Sequence, residues 1–181
     1  MTIEDLGRLI QRLLKRSEAV EIDGLGIFAR NKTGDISFEH SDRLRVFIAY
    51  ATEDRPAAER LFKQLTAHGF SAWLDRRKLL PGQDWPQRIE DAIASSDFFI
   101  GCFSAKSIKK RGGFQTEIRL ALECANRMPL DDVFLIPVRL DDCRVPSRIQ
   151  RETQYVDLFP DWRAGFERVL RIIESQVRRA A

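Results

Sequence analysis

Side chains able to bind or transform a ligand follow three apolar runs in this chain of 181 residues. The runs cover residues 44–50, 70–74 and 98–103, and they are typical of strands buried on both faces. Polar groups stand at or just after their ends: Tyr50, Asp75 and Ser104. Glu117 follows in the first turn of a helix that is predicted to begin near Phe114. These segments are expected to converge on one edge of a sheet.

Strands and helices are predicted to alternate from residue 41 to residue 181. Predicted strands cover residues 44–50, 70–74, 98–103, 133–138 and 154–158. Predicted helices cover residues 56–68, 85–95, 114–126 and 162–177. This alternation predicts an α/β domain whose parallel sheet has right-handed crossovers.

Residues 1–40 are predicted to form a separate small segment. Apolar residues at helical spacing near the N-terminus predict one amphipathic helix, and alternation with two turn signals over residues 19–39 predicts a β-hairpin. A helix and a two-stranded ribbon form too small a core to be stable alone. We therefore expect this segment to lean on the main domain or to serve assembly or partner binding.

Composition restricts the class of protein. The net charge of +3 does not indicate a nucleic-acid partner. Cys102, Cys124 and Cys143 are far apart and form no C-x-x-C pair, so we expect free thiols in a reducing compartment. No signal-peptide core or membrane-length apolar run is present, and we expect a cytoplasmic protein. His40 and His68 lack partners at metal-ligand spacing, so no metal site is expected.

Residues 44–82 closely resemble the start of a Toll/interleukin-receptor (TIR) domain. The letters FIAY at 47–50 stand where the family has its first-strand FISY. Residues 68–75 (HGFSAWLD) match its second strand, and residues 78–82 (KLLPG) match its BB loop. The resemblance continues to about Ile173. It implies a flavodoxin-like, five-stranded parallel sheet in the order 2-1-3-4-5, with the ligand at the switch point between strands one and three.

The resemblance also implies a catalytic role for Glu117. Residues 104–123 resemble the TIR stretch in which a serine after the third strand is followed by a catalytic glutamate. Many TIR domains cleave the bond between nicotinamide and ribose in NAD+, which would be the substrate rather than a cofactor. A carboxylate suits this chemistry because the transition state is oxocarbenium-like. The helix N-terminus is expected to keep the carboxylate ionised.

Five further residues are expected to bind the substrate: Tyr50, Asp75, Lys78, Ser104 and Phe114. The two aromatic rings could stack on nicotinamide or adenine, although core packing is their commoner role. Asp75 could bind ribose or cap a turn. Lys78 would offer charge to the pyrophosphate, together with a second basic group. That group consists of Lys106, Lys109, Lys110 and Arg111.

Two departures from the family pattern keep other functions open. Gly113 stands where many NAD-cleaving members have an aromatic residue, and Ala51 and Thr52 stand where many have an arginine. We expect an NAD+ nucleosidase that acts as a bacterial antiphage effector, activated by TIR–TIR assembly or by a sensor protein. The alternatives are a cyclase that makes cyclic ADP-ribose and a non-catalytic TIR adaptor. Residues 20–28 weakly resemble histone-like HU proteins, but the long basic arm is absent and no DNA binding is expected.

Overall fold

The computed structural model describes residues 3–14, 17, 19–22, 26–30, 34–40, 43–74 and 85–180. The chain divides into two compact units, residues 1–43 and residues 44–181. The boundary predicted after residue 40 and the role predicted for residues 1–40 stay predictions.

The first unit contains one helix and a small antiparallel sheet. Its elements are α1 (Ile3–Leu13), β1 (Ala19–Ile22), β2 (Gly26–Arg30) and β3 (Ile36–His40). The predicted helix is confirmed, but the predicted hairpin is incomplete, because β2 pairs with both β1 and β3. A second reversal of the chain adds the third strand, so the two turn signals separate three strands rather than two. The turn residues 23–25 and 31–33 lie outside the described part of the chain.

The second unit has the alternating order that the sequence predicts. Its strands are β4 (Arg45–Ala49), β5 (Ser71–Trp73), β6 (Phe98–Phe103), β7 (Leu135–Arg139) and β8 (Val156–Asp157). Its helices are α2 (Arg55–Ala67), α3 (Trp85–Ala94), α4 (Gly113–Ala125), α5 (Ser147–Glu152) and α6 (Trp162–Ala180). The strands pair in parallel in the order β5-β4-β6-β7-β8, which confirms the predicted order 2-1-3-4-5. The short helix α5 is not predicted, since six residues show too little periodicity.

Strand β4 shows how the sheet is buried on both faces. Val46 and Ile48 join the core formed with α2 and α6, while Phe47 and Ala49 join the core formed with α3, α4 and α5. Successive side chains of a strand point to opposite faces, so a strand between two helical layers reads as a continuous apolar run.

The three cysteines are free thiols, as predicted.

Helix α6 holds the end of the domain close to the sheet. A Cβ atom at Gly165 would stand 2.2 Å from the carbonyl oxygen of Asp157, so no larger residue fits there without moving α6. The indole Nε1–H of Trp162 donates to Gln64 Oε1 of α2 at 2.6 Å.

Among the described helices, none has the length and apolar character needed to cross a membrane.

Candidate active site

A cavity of about 190 Å³ opens at the carboxyl ends of β4 and β5. Residues from both strands, from the segment after β4 and from three helices line it. They are Phe47, Ile48, Tyr50, Thr52, Arg55, Trp73, Leu74, Ile89 and Glu117. The carboxyl ends of parallel strands are where α/β folds bind ligands, and the cavity lies at that edge of the sheet. It lies beside β4 and β5, however, and not at the predicted switch point between β4 and β6.

Glu117 is a buried carboxylate in the wall of this cavity. It is 8% exposed, although glutamate is among the residues that are rarely buried. Helix α4 presents Glu117 on the same inward face as Phe114, which lies about one helical turn earlier, and Ile118, which is the next residue. A surface role for Glu117 is thereby excluded.

The helix that carries Glu117 begins one residue earlier than predicted, so Glu117 lies beyond its first turn. Helix α4 begins at Gly113, and its first turn carries no acidic residue. The helix dipole acts mainly within the first turn, so it provides less support for an ionised Glu117 than the sequence indicates. The start is earlier because Gly112, with a φ of 127°, adopts a conformation suited to glycine and lets Gly113 open the helix.

Aromatic side chains form part of the cavity wall. Tyr50 follows β4 and lines the cavity, and its role in substrate binding stays a prediction. Trp73 of β5 also lines it, and its ring stacks on Phe47 with centroids 4.7 Å apart and planes at 28°. Sequence reasoning missed Trp73 as a site residue. Its place at the end of a short strand, just before a polar segment, is the signal that would have found it.

Arg55 is a second lining residue that sequence reasoning missed. The 3-10 turn Thr52–Asp54 carries the chain from β4 to α2, and Arg55 is the first residue of that helix. Its Nε–H donates to Glu59 Oε1 at 2.9 Å. The family's arginine is absent at Ala51 and Thr52, but the structure brings this cation to the cavity from slightly further along the chain.

Ser104 lies at the same sheet edge but outside the cavity lining. It is 3% exposed, and its Oγ–H donates to Asp54 Oδ2 at 2.8 Å. The Ser104 backbone N–H donates to Ser107 Oγ at 2.8 Å, and the Ser107 N–H donates back to Ser104 Oγ at 3.1 Å. The hydroxyl of Ser104 is therefore part of a closed hydrogen-bond network.

Two carboxylates complete the surroundings of Ser104. Burial raises the pKa of Asp54, the hydrogen bond from Ser104 partly opposes this, and the nearby charge of Asp141 adds to it. Asp141 accepts the backbone N–H of Ala105 at 2.9 Å and 3.1 Å through its two oxygens. The Ser104–Asp54 bond joins the segment after β6 to the segment after β4, and the Ala105–Asp141 bonds join it to the segment after β7.

The other residues that were expected to bind the ligand either do not line the cavity or lie outside the described part of the chain. Phe114 is buried in the core and meets Phe103 edge to face at 5.4 Å, so it does not line the cavity. Lys110 forms an ion pair with Glu53, and its hydrogen bond holds the pKa of Glu53 below the ordinary value. Three other cations are exposed and also do not line the cavity: Lys106, Lys109 and Arg111. Asp75 and Lys78 lie outside the described residues.

Solved structures of other proteins share this fold. The TIR domain of the Toll-related receptor TRR-2 from Hydra magnipapillata is 27% identical with a TM-score of 0.56, and the match covers 69% of this chain and 93% of that one. A metazoan TIR-STING receptor from C. gigas, solved with 2',3'-cGAMP, is 22% identical with a TM-score of 0.57, over 75% of this chain and 41% of that one. A prokaryotic SEFIR domain is 19% identical with a TM-score of 0.56, over 72% and 98%.

Sequence comparison leads to the same family. A comparison with curated proteins gives no match. The family model of the TIR domain matches residues 46–170, which is more than half of the chain and includes nearly all of β4, the described cavity-lining residues and the first part of α6. This chain therefore belongs to the TIR domain family.

Proposed function

We propose that this TIR domain is an NAD+ nucleosidase and that Glu117 is its catalytic carboxylate. The observation that carries the proposal is a carboxylate, 8% exposed, in the wall of a cavity that also presents Tyr50 and Trp73. A buried carboxylate beside aromatic rings suits a substrate whose reacting part is a cationic ring on a ribose.

The reaction breaks the bond between the ribose C1' and the nicotinamide nitrogen. The bonding electrons leave with nicotinamide, which becomes neutral, and positive charge develops on the ribose. The Glu117 carboxylate stabilises this oxocarbenium-like charge and can hold the ribose hydroxyls. Water then adds to C1' and releases a proton, which yields ADP-ribose. NAD+ is consumed as the substrate, and no cofactor takes part.

The size of the cavity suits only part of NAD+, and the proposed role of Glu117 selects the nicotinamide end. Sites for whole ligands are commonly about 300–1,000 Å³, whereas this cavity measures about 190 Å³. The nicotinamide riboside end would occupy the cavity, and the rest of the dinucleotide would extend beyond it. Asp75 and Lys78 remain proposed contacts to that part. Ser104 and Phe114 were predicted to bind substrate, but their placement outside the cavity lining adds no support for that role.

The biological role we propose is that of a cytoplasmic antiphage effector that is activated by self-association or by a sensor protein. Membership of the TIR family supports a signalling role, and the free thiols suit a reducing compartment. Activation by assembly predicts that specific activity rises steeply with protein concentration. A rate strictly proportional to enzyme over a wide range, with monomers by light scattering, would contradict it.

Substitution of Glu117 by glutamine tests the catalytic assignment. The change keeps the side-chain volume and removes the charge, so we expect the rate of nicotinamide release to fall on the order of a hundredfold or more. Glu123→Gln is the matched control, because Glu123 is an exposed residue on the same helix. Circular dichroism checks that both variants fold. Full activity in a folded Glu117→Gln protein would rule out this mechanism.

Product analysis separates the two alternatives. A cyclase would use the same carboxylate but would release cyclic ADP-ribose, which differs from ADP-ribose by one water and is resolved by mass spectrometry. A non-catalytic adaptor would assemble without consuming NAD+ at any protein concentration. The buried position of Glu117 favours an enzyme over the adaptor.

A further inference from the structure

The cavity carries opposite charges on two of its walls. Among its described lining residues, Glu117 of α4 is the one anion and Arg55 of α2 is the one cation. The remaining lining residues are apolar or neutral. A ligand that carries a positive group beside a negative group would match this arrangement.

Arg55 occupies a position that the helix dipole alone does not favour. It opens α2, where the positive end of the dipole disfavours a cation, and it forms an i,i+4 ion pair with Glu59. The hydrogen bond from Nε to Glu59 orients the guanidinium plane from one side. The residue also borders the cavity. An oriented guanidinium is well suited to recognise an anion with a planar pair of N–H donors.

The other cations near this edge are placed less well for that task. Lys110 is paired with Glu53 and, unlike Arg55, does not line the cavity. The exposed Lys106, Lys109 and Arg111 do not line the cavity. Arg55 is therefore the best candidate in the described chain for an anionic group that lies close to the ligand bound at Glu117.

We propose that Arg55 binds the 5'-phosphate adjoining the nicotinamide ribose, so that the site selects phosphorylated nicotinamide nucleotides over nicotinamide riboside. The inference rests on the proposed function of Glu117. In such a nucleotide the cationic nicotinamide riboside lies next to an anionic phosphate. Glu117 serves the cationic end and Arg55 the phosphate, which matches the two charged walls.

Equilibrium binding of two ligands that differ by one phosphate tests this assignment. Nicotinamide mononucleotide and nicotinamide riboside are titrated by calorimetry into the full chain carrying Glu117→Gln, so that neither ligand is consumed. The same titrations are made after adding Arg55→Gln, Arg55→Lys or Arg60→Gln. Arg60→Gln is the matched control, since Arg60 is an exposed cation on the same helix and stacks over Trp162 instead of lining the cavity.

We expect Arg55→Gln to weaken nicotinamide mononucleotide binding about tenfold or more and to leave nicotinamide riboside binding unchanged. Arg55→Lys should weaken mononucleotide binding less, because a charge remains without the paired donors. Arg60→Gln should change neither affinity. Equal effects on both ligands, or no effect of either Arg55 variant on the mononucleotide, would overturn the proposal. Arg55→Lys decides the matter if Arg55→Gln does not fold.

Turnover of NAD+ by the unmodified chain separates this inference from the proposed function. Cleavage that depends on Glu117, together with phosphate-independent binding, would refute only the role of Arg55. Phosphate-selective binding through Arg55 without any NAD+ cleavage would refute only the nucleosidase assignment.

Discussion

Two polar clusters lie at the same edge of the sheet and differ in what surrounds them. The Glu117 cavity, lined on its charged walls by Glu117 and Arg55, borders open space. The Ser104 network, formed by Ser104, Ser107 and Asp54 with Asp141, consists of side chains that hydrogen-bond to one another or to adjacent backbone. The cavity lies beside β4 and the edge strand β5, whereas the Ser104 network follows β6 at the switch point, and only the cavity leaves room for a ligand. Position at a switch point is thus insufficient evidence for a binding role.

The difference has a physical origin. Buried polar groups are stable when they are hydrogen-bonded, and Ser104 meets this need within the chain. Its contacts join the segments after β4 and β6, so their main effect is on stability. The charges of the cavity are placed next to space that a ligand can fill, so the roles we propose for them are in binding and catalysis.

Trp73→Ala should produce the largest change in stability on the cavity side. It removes the ring stacked on Phe47 and opens the cavity wall. We expect the free energy of unfolding to fall by about 2–3 kcal/mol, less than for a fully buried tryptophan. Denaturant titration measures it, and Trp73→Phe is the control that keeps an aromatic stack. A loss equal to that of Trp73→Phe would show that the stack contributes nothing.

Ser104→Ala should lower stability and leave NAD+ turnover nearly unchanged, whereas Glu117→Gln should lower turnover and leave the fold intact. Loss of the hydrogen bond to Asp54 should lower the free energy of unfolding by about 1–2 kcal/mol, while NAD+ turnover per folded molecule stays nearly constant. Ser175→Ala, on the exposed part of α6, is the matched control. Unfolding curves and nicotinamide release are measured on the same samples. A large loss of turnover at unchanged stability would place Ser104 in the catalytic site and erase the contrast.

Asp54→Asn should have the smallest effect and should depend on pH. Burial raises the pKa of Asp54 in the folded state, so ionisation costs stability. The cost is absent below the ordinary pKa of aspartate, about 3.9, appears as the pH rises to the folded-state pKa, and then stays constant. The amide that replaces the carboxylate cannot ionise, but its oxygen can still accept the Ser104 hydrogen bond.

The variant should therefore be more stable than the unmodified protein at neutral pH, by less than about 1 kcal/mol because Asp54 is only partly buried. The difference should vanish toward about pH 3, below the ordinary pKa of aspartate. Melting curves across pH measure it, with Asp132→Asn at an exposed site as the control. A variant that is less stable at neutral pH would show that the Asp54 charge stabilises the network.

Local sequence accounts for most of the fold. The continuous apolar run at residues 44–50 predicts β4 because a strand covered on both faces has no polar side to reveal. Apolar residues at helical spacing along α6 predict this helix, because they form one face that packs against the core. The sequence predicts the structure less well where an element is short or where two turn signals lie close together. The two turn signals in residues 19–39 predict one hairpin where the structure has three strands, and the six residues of α5 carry too few periodic positions.

The sequence by itself determined the family, the strand order that the family implies, and Glu117 as the candidate carboxylate, since each depends on residue types at fixed spacing along one segment. Only the tertiary structure decided which side chains share the cavity. It brought in Arg55 and Trp73 and left Ser104 and Phe114 outside the lining. Those outcomes depend on how helices and strands that are distant in sequence pack together, and on which neighbours satisfy each polar group.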